Sequence, residues 1–202
     1  MEDLDRLAAL LTALPPSCGP VRLVAVDGHA GSGKSTFAAR LAAALGGAPV
    51  LHLDDLATHE QLFGWTGRLR EQVTGPLSRG GSARYTPYDW SLRRFGPPRL
   101  LDPAPVVLIE GVGAGRGALR PDLAWLLWMD LDARRSWARG RRRDGPAQSG
   151  FWDGWTAAET RHFATDPSRP YANTLVQERQ EGYKWRHGPS ATARSGPFGH
   201  CT

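Results

Sequence analysis

The sequence predicts an α/β fold in which a mainly parallel sheet is covered by helices on both faces, and three observations carry that prediction. Short apolar runs recur along the chain with helical segments between them, the pattern of parallel strands joined by crossover helices. One of these strands runs straight into a glycine-rich loop and an alanine-rich helix. Three others end in acids, which gathers carboxylates at the carboxyl edge of the sheet, where open α/β folds bind their ligands.

Leu4, Leu7, Leu11 and Leu14 recur at helical spacing ahead of Pro15 and Pro16, so a short amphipathic helix precedes the sheet and packs on it. Val21 to Val26 (VRLVAV) reads as the first strand, Gly28 to Gly33 as a loop, and Lys34 to Leu45 as a helix stopped by Gly46 and Gly47. A second strand, Pro49 to Leu53, leads to Asp54 and Asp55; a third, Val106 to Ile109, to Glu110; a fourth, Trp125 to Met129, to Asp130. The stretch between the second and third strands, rich in Gly, Pro, Arg and aromatics, is too long for a plain connection and reads as a substrate-binding insertion over about 55–104. From about Gln180 the composition turns to Gly, Pro, Ser and Arg without periodicity, which predicts a flexible tail over 180–202. At 202 residues and 41% hydrophobic content the chain supports one well-cored domain, here 1–179, and no internal repeat is found.

No apolar run approaches the roughly 18 residues of a membrane span, and the acidic N-terminal stretch lacks the positive charge of a signal peptide. A soluble, cytoplasmic protein is expected. Cys18 and Cys201 show neither disulfide-framework nor metal-ligand spacing and read as unpaired thiols. A net charge of +5 and a pI near 9.8 suit nucleic acid, a membrane surface or an anionic substrate equally. Of the 25 basic residues, however, only Lys34 and Lys184 are lysine. In a chain that supplies generic positive charge with arginine, a lysine inside a glycine-rich loop is there for its compact ammonium group.

That lysine belongs to Gly28-His29-Ala30-Gly31-Ser32-Gly33-Lys34-Ser35, which matches GxxxxGK[ST] and is followed by Thr36. Gly28, Gly31 and Gly33, with Ser32 among them, let backbone N–H groups turn inward around phosphates, and the helix beginning at Lys34, Ser35 and Thr36 adds its positive dipole end. Lys34 reaches the β- and γ-oxygens, and the Ser35 hydroxyl ligates Mg²⁺. The fold class becomes a P-loop NTPase three-layer sandwich, with ATP and Mg²⁺ as expected ligands. The guanine-reading NKxD signature is absent, so ATP is the default donor and GTP the alternative. Glu110, closing Val-Val-Leu-Ile ahead of Gly111, is placed to hold the metal or its water shell. Asp54 supplies a carboxylate where an acceptor hydroxyl could lie, to orient it and take its proton.

These segments together resemble the uridine kinase family of P-loop nucleoside kinases and its relatives acting on ribosides, ribulose phosphate and pantothenate. The matching parts are Gly28 to Thr36, Asp54-Asp55, Tyr88-Asp89-Trp90, Glu110-Gly111, Arg139 to Asp144 and Tyr171-Ala172-Asn173, in order across about residues 20–178. The resemblance implies a nucleoside-kinase-like fold, Asp54 as general base, and Asp89 holding sugar hydroxyls within a substrate segment that includes Tyr88 and Trp90. The chain departs from the pattern at Asn173, where the family has Asp, at Leu56-Ala57, and at Ser91-Leu92-Arg93. Arg93 stands where similar kinases carry the His that reads the base. Guanidinium only donates and stays charged, so Arg93 predicts an acceptor with an anionic or acceptor-rich group near its hydroxyl, and weak activity on cytidine.

Six arginines lie between Arg134 and Arg143, after the fourth strand, where such kinases place a lid. The reading is a lid over about 134–165 whose Arg139 and Arg143 close on the donor phosphates; a solvated helix face and a nucleic-acid patch are the alternatives. Of the eight tryptophans, Trp90 adjoins Asp89 where a flat acceptor could stack, while Trp152 and Trp155 are placed to pin the base of the lid. His29, His52, His59 and His162 have no metal-ligand spacing. The expected function is an ATP-dependent kinase acting on a hydroxyl of a nucleoside-like or specialised-metabolite acceptor, with a non-catalytic or regulatory nucleotide-binding protein as the alternative. The partners expected are a nucleotide and a small hydroxyl-bearing substrate, without nucleic acid or membrane; a homodimer is compatible with this.

Overall fold

The computed structural model describes residues 2–190. Helix α1 (Glu2–Ala13) is followed by strand β1 (Arg22–Asp27), helix α2 (Lys34–Ala44) and strand β2 (Val50–His52), which runs into a single 3₁₀ turn, Leu53–Asp55. The insertion then adds short helices α3 (Thr66–Leu69) and α4 (Gly75–Ser78), joined by a π turn, and strands β3 (Ala83–Tyr85), β4 (Tyr88–Asp89), β5 (Arg94–Phe95) and β6 (Arg99–Leu101). Strands β7 (Val106–Glu110) and β8 (Trp125–Met129), helices α5 (Ala133–Asp144) and α6 (Ser149–Thr165), and strands β9 (Thr174–Arg179) and β10 (Gly182–His187) complete the chain.

Six strands form the main sheet in the order β10-β9-β8-β1-β7-β2, parallel except for β10. β1 is central, flanked by β7 and β8, and is buried from Leu23 to Asp27. Its alternation serves two core layers. Val24 and Val26 face Phe37 and Leu41 of α2 and Leu7 and Leu11 of α1, whereas Leu23 and Ala25 face Trp65, Leu69 and Leu77 of the insertion. Because strand side chains alternate between faces, a one-residue slip would exchange these sets and lose both layers.

The insertion therefore does more than the sequence reading assigns to it: its helical turns close the second core layer. Trp65 is 1% exposed, and the Arg116 guanidinium lies 3.8 Å from its ring centroid. A cation over a desolvated indole is worth about 2 kcal/mol. The flexible tail expected over 180–202 is corrected over 182–187, which pair antiparallel with β9 from Gly182↔Arg179 to His187↔Thr174. Tyr183 is buried against Phe37 at 4.9 Å, and Trp185 donates to the Asp3 carbonyl at 2.8 Å, so two alternate aromatics anchor a strand that its glycines and arginines hid. Residues 191–202, Cys201 included, lie outside the described residues; Cys18 is buried as a free thiol. Among the described residues no helix is long and apolar enough to cross a membrane.

Candidate active site

The phosphate-type loop leaves β1 at Asp27, which is fully buried. Its carboxylate accepts N–H bonds from Gly28 at 2.7 Å and from Gly113 and Gly115 at 2.9 and 2.8 Å, binding the loop's first residue to the turn beyond β7. Gly31 has φ +82, and a Cβ there would lie 2.1 Å from the Ser136 carbonyl oxygen, so only glycine fits under α5. Gly33 ends the loop at φ +92 as the N-cap of α2. Lys34 is buried and its Nζ donates to the His29 carbonyl at 3.0 Å, across the loop. The Ser32 hydroxyl is buried without a partner. An inturned loop at a helix N-terminus, with an ammonium group spanning it and an orphaned hydroxyl inside it, fits a phosphate chain.

Beyond the loop, Ser35 Oγ donates to Glu110 Oε1 at 3.0 Å, and His52 Nδ1 lies 2.5 Å from the same oxygen. Thr36 is exposed beside Ser35 on the first turn of α2. Burial opposes the charge of Glu110, but His52, Lys34 and Ser35 outweigh it and hold its carboxyl below the ordinary range; the bond to Glu110 in turn raises His52. Among the described residues no group of three or more His, Cys, Asp or Glu forms a metal cage. A hydroxyl next to one carboxylate nevertheless suits Mg²⁺, which takes few protein ligands and fills its shell with phosphate and water.

Asp54 is exposed to the solvent of the cleft, although protein crowds its carboxyl on the side of Glu110, Lys34 and His52. That enclosure, together with the Glu110 charge, raises it above the usual carboxylate range despite Lys34. Asp55 differs, because its Oδ2 accepts from the Tyr85 hydroxyl at 3.4 Å and from Arg99 at 3.3 Å. Lys34, Ser35, Asp54 and Glu110 line one cavity of about 620 Å³ together with His59, Trp90, Phe151 and Trp155. The aromatic group is mutually packed: His59–Trp90 centroids are 4.8 Å apart and Trp90–Phe151 6.0 Å. Trp90 Nε1 donates to the Asp54 carbonyl at 3.1 Å, which fixes the indole beside the acid.

Several expected residues stand elsewhere. Asp89 Oδ1 accepts from the N–H groups of Ser91 and Leu92 at 2.9 and 2.8 Å, so it shapes the β4–β5 turn and is not part of the cavity wall. Tyr88 is buried behind Trp90, its hydroxyl 3.0 Å from His59 Nδ1. Arg93 sits on the tip of that hairpin at φ +52, exposed and 3.4 Å from Glu60, so it reads nothing in the cavity; the short turn fixed by Asp89 sends it outward. Asp130 pairs outside the cavity with Arg169 and Arg186. Of the two arginines expected at the donor, Arg143 lines the cavity and pairs with Asp144, while Arg139 is held by Glu178 beside Gly33.

Trp152 packs its ring into the space left by Gly140, which ties α6 to α5. Sequence reasoning missed four residues: Asp27, His59, Phe151 and Glu159. A glutamate four residues after Trp155, on the same face of α6 as that ring, was the signal available for Glu159, which is fully buried. Burial opposes its charge, but the bonds from His29, Ala30 and Trp137 prevail and hold its carboxyl below the usual range.

The six-stranded, mostly parallel sheet with the glycine-rich loop between β1 and α2 is a fold this chain shares with two solved structures. A possible uridine kinase from Bacillus stearothermophilus superposes with a TM-score of 0.63 at 19% identity, over 86% of this chain and 97% of that one. A candidate fructose transport system kinase from Silicibacter sp. TM1040 superposes with a TM-score of 0.53 at 22% identity, over 78% and 88% of the two chains. No protein-family model and no curated protein sequence matches the chain.

Proposed function

We propose that this protein is a kinase that transfers the γ-phosphoryl group of ATP to a hydroxyl of a small, ring-bearing acceptor. The supporting observation is that Lys34, Ser35, Glu110 and Asp54 share one cavity with the aromatic wall of His59, Trp90 and Phe151. The kinase names of the two structural neighbours agree with this reading.

In this reading Lys34 leaves the His29 carbonyl for the β- and γ-oxygens, and Arg143 exchanges Asp144 for donor phosphate. Ser35 and Glu110 would hold Mg²⁺, which supplies charge neutralisation at the phosphates. Asp54 orients the acceptor hydroxyl and takes its proton as the new O–P bond forms and ADP departs. Its raised proton affinity suits that task, since a base works best with a pKa nearer the working pH. The acceptor ring lies against the aromatic wall, and with Arg93 outside the cavity the expected preference for an anionic group lapses.

The test is ADP release with MgATP across a panel of nucleosides, sugars and aminoglycoside-like alcohols, with mass spectrometry of the product. Acceptor-dependent release and a product heavier by one phosphate are expected for a ring-bearing alcohol. Tight MgATP binding without turnover on any acceptor would overturn the proposal in favour of a non-catalytic nucleotide-binding protein.

A further inference from the structure

Glu159 is 0% exposed and belongs to neither the phosphate loop nor the carboxylates of the cleft. Its two oxygens take four partners. Oε1 lies 2.6 Å from His29 Nδ1 and accepts from Trp137 Nε1 at 3.0 Å; Oε2 accepts from the Ala30 N–H at 3.1 Å and from Trp155 Nε1 at 2.9 Å. Two of these partners are the second and third residues of the loop, and a third, Trp155, lines the cavity beside Phe151. The His29 ring is further clamped edge-on by Trp128 at 5.4 Å and Phe163 at 5.2 Å, so it cannot tilt without disturbing α6. On its backbone side, the His29 carbonyl is the acceptor that holds Lys34 Nζ at 3.0 Å.

We infer that Glu159 is a positioning residue that couples the donor site to the acceptor wall, through the chain Lys34–His29–Glu159–Trp155. This rests on the kinase reading above, in which nucleotide draws Lys34 away from the His29 carbonyl. Release of that bond leaves the His29 carbonyl to the Ser32 N–H alone, at 3.0 Å, so the His29 peptide re-seats on the loop and the ring carries the shift to a carboxylate that has no slack, since every change at one partner must be matched at the other three. A buried carboxylate with all its partners in place is costly to disturb, which makes the connection stiff. Trp155 then takes the position in the acceptor cavity that goes with an occupied donor loop.

The experiment uses MgADP as the probe and needs no identified acceptor. Binding is measured by calorimetry and indole emission is recorded in the same titrations for wild type, Trp155→Phe and Glu159→Gln. Wild type is expected to bind and to change emission, Trp155→Phe to bind and lose most of that change, and Glu159→Gln to bind and lose it likewise. Glutamine keeps the size of the side chain, and a purely structural role would lower thermal stability without separating binding from the Trp155 signal. Should Glu159→Gln fail to fold, Glu159→Asp keeps the charge but shortens the side chain, so that it no longer reaches the loop and Trp155 together, and is expected to show the same separation. The full wild-type emission change in either variant, or in Trp155→Phe, overturns the coupling and leaves the kinase reading standing. Failure of wild type to bind MgADP overturns both.

Discussion

The loop between β1 and α2 is held by buried groups with their partners in place, whereas the wall facing it across the cavity, built from the β4–β5 hairpin and the start of α6, is held by exposed turns and by rings packed on rings. Asp27 fixes the loop with three N–H bonds, and Glu159 grips it from α6. Opposite it, Trp90 of the hairpin is steadied by one bond to the Asp54 carbonyl, and Phe151 of α6, which packs on it, is 38% exposed. The difference matches the two tasks. On the proposed kinase reading, phosphate is the same in every donor and rewards a rigid cradle, while the acceptor wall can change with a few side chains and leave the fold intact.

The strongest break in that comparison is at Lys34. Lys34→Ala should bring acceptor-dependent ADP release below detection, and Lys34→Arg should rescue it poorly, because a planar fork does not replace an ammonium group inside the loop. Wild-type rates in Lys34→Ala would mean that the loop does not hold the donor.

Asp54 lies where the two halves meet. Asp54→Asn should lower kcat by about 10²–10⁴ while leaving MgADP affinity little changed, as for a proton acceptor outside the donor site. Asp55→Asn should do less, its carboxylate being occupied by Tyr85 and Arg99. Because its pKa is raised, Asp54 gains its proton at a higher pH than an ordinary carboxylate. Activity should therefore fall as pH is lowered through a value above the usual carboxylate range, and Asp54→Asn should remove that acid limb from the profile of kcat/KM. If Asp55→Asn proves the more damaging change, the base is the other acid.

On the acceptor side the changes should be smaller and confined to one substrate. Phe151→Ala should raise the acceptor KM by about tenfold, the worth of one ring contact, and leave the KM for ATP near wild type. A parallel rise in both would mean that the aromatic wall serves the nucleotide. Smallest is Arg93→His, predicted to leave kcat/KM for uridine and cytidine within about twofold, since an exposed pair such as Arg93–Glu60 contributes about 0–1 kcal/mol. A changed preference between the two would return Arg93 to the substrate.

Much of this was legible before any coordinates. The central strand, the loop and α2 follow from VRLVAV, the glycine spacing and an alanine-rich run, because each is a local pattern whose period or turn chemistry stands in adjacent residues. The insertion was not legible in the same way. Tyr88-Asp89-Trp90 reads as one substrate segment, but the fold divides its members: Trp90 lines the cavity, Tyr88 is buried behind it, and Asp89 shapes the turn that carries Arg93 to solvent. The last strand was missed because it is specified by pairing with β9 and by two anchored aromatics, not by its own composition.

The sequence by itself determined the loop side of the cavity: glycines at the positions where only glycine fits, one lysine in an arginine-rich chain, a serine after it, and acids just beyond β2 and at the end of β7. Those features act within a few residues of one another along the chain or at the ends of neighbouring strands. Tertiary structure alone decided which acid is open to the cleft, which arginine reaches it, and that Glu159 holds a loop 129 residues away in sequence. The reason is physical: a carboxylate becomes a base, a clamp or a turn former according to the donors that surround it and the water it can reach, and in a folded chain both are set by segments distant in sequence.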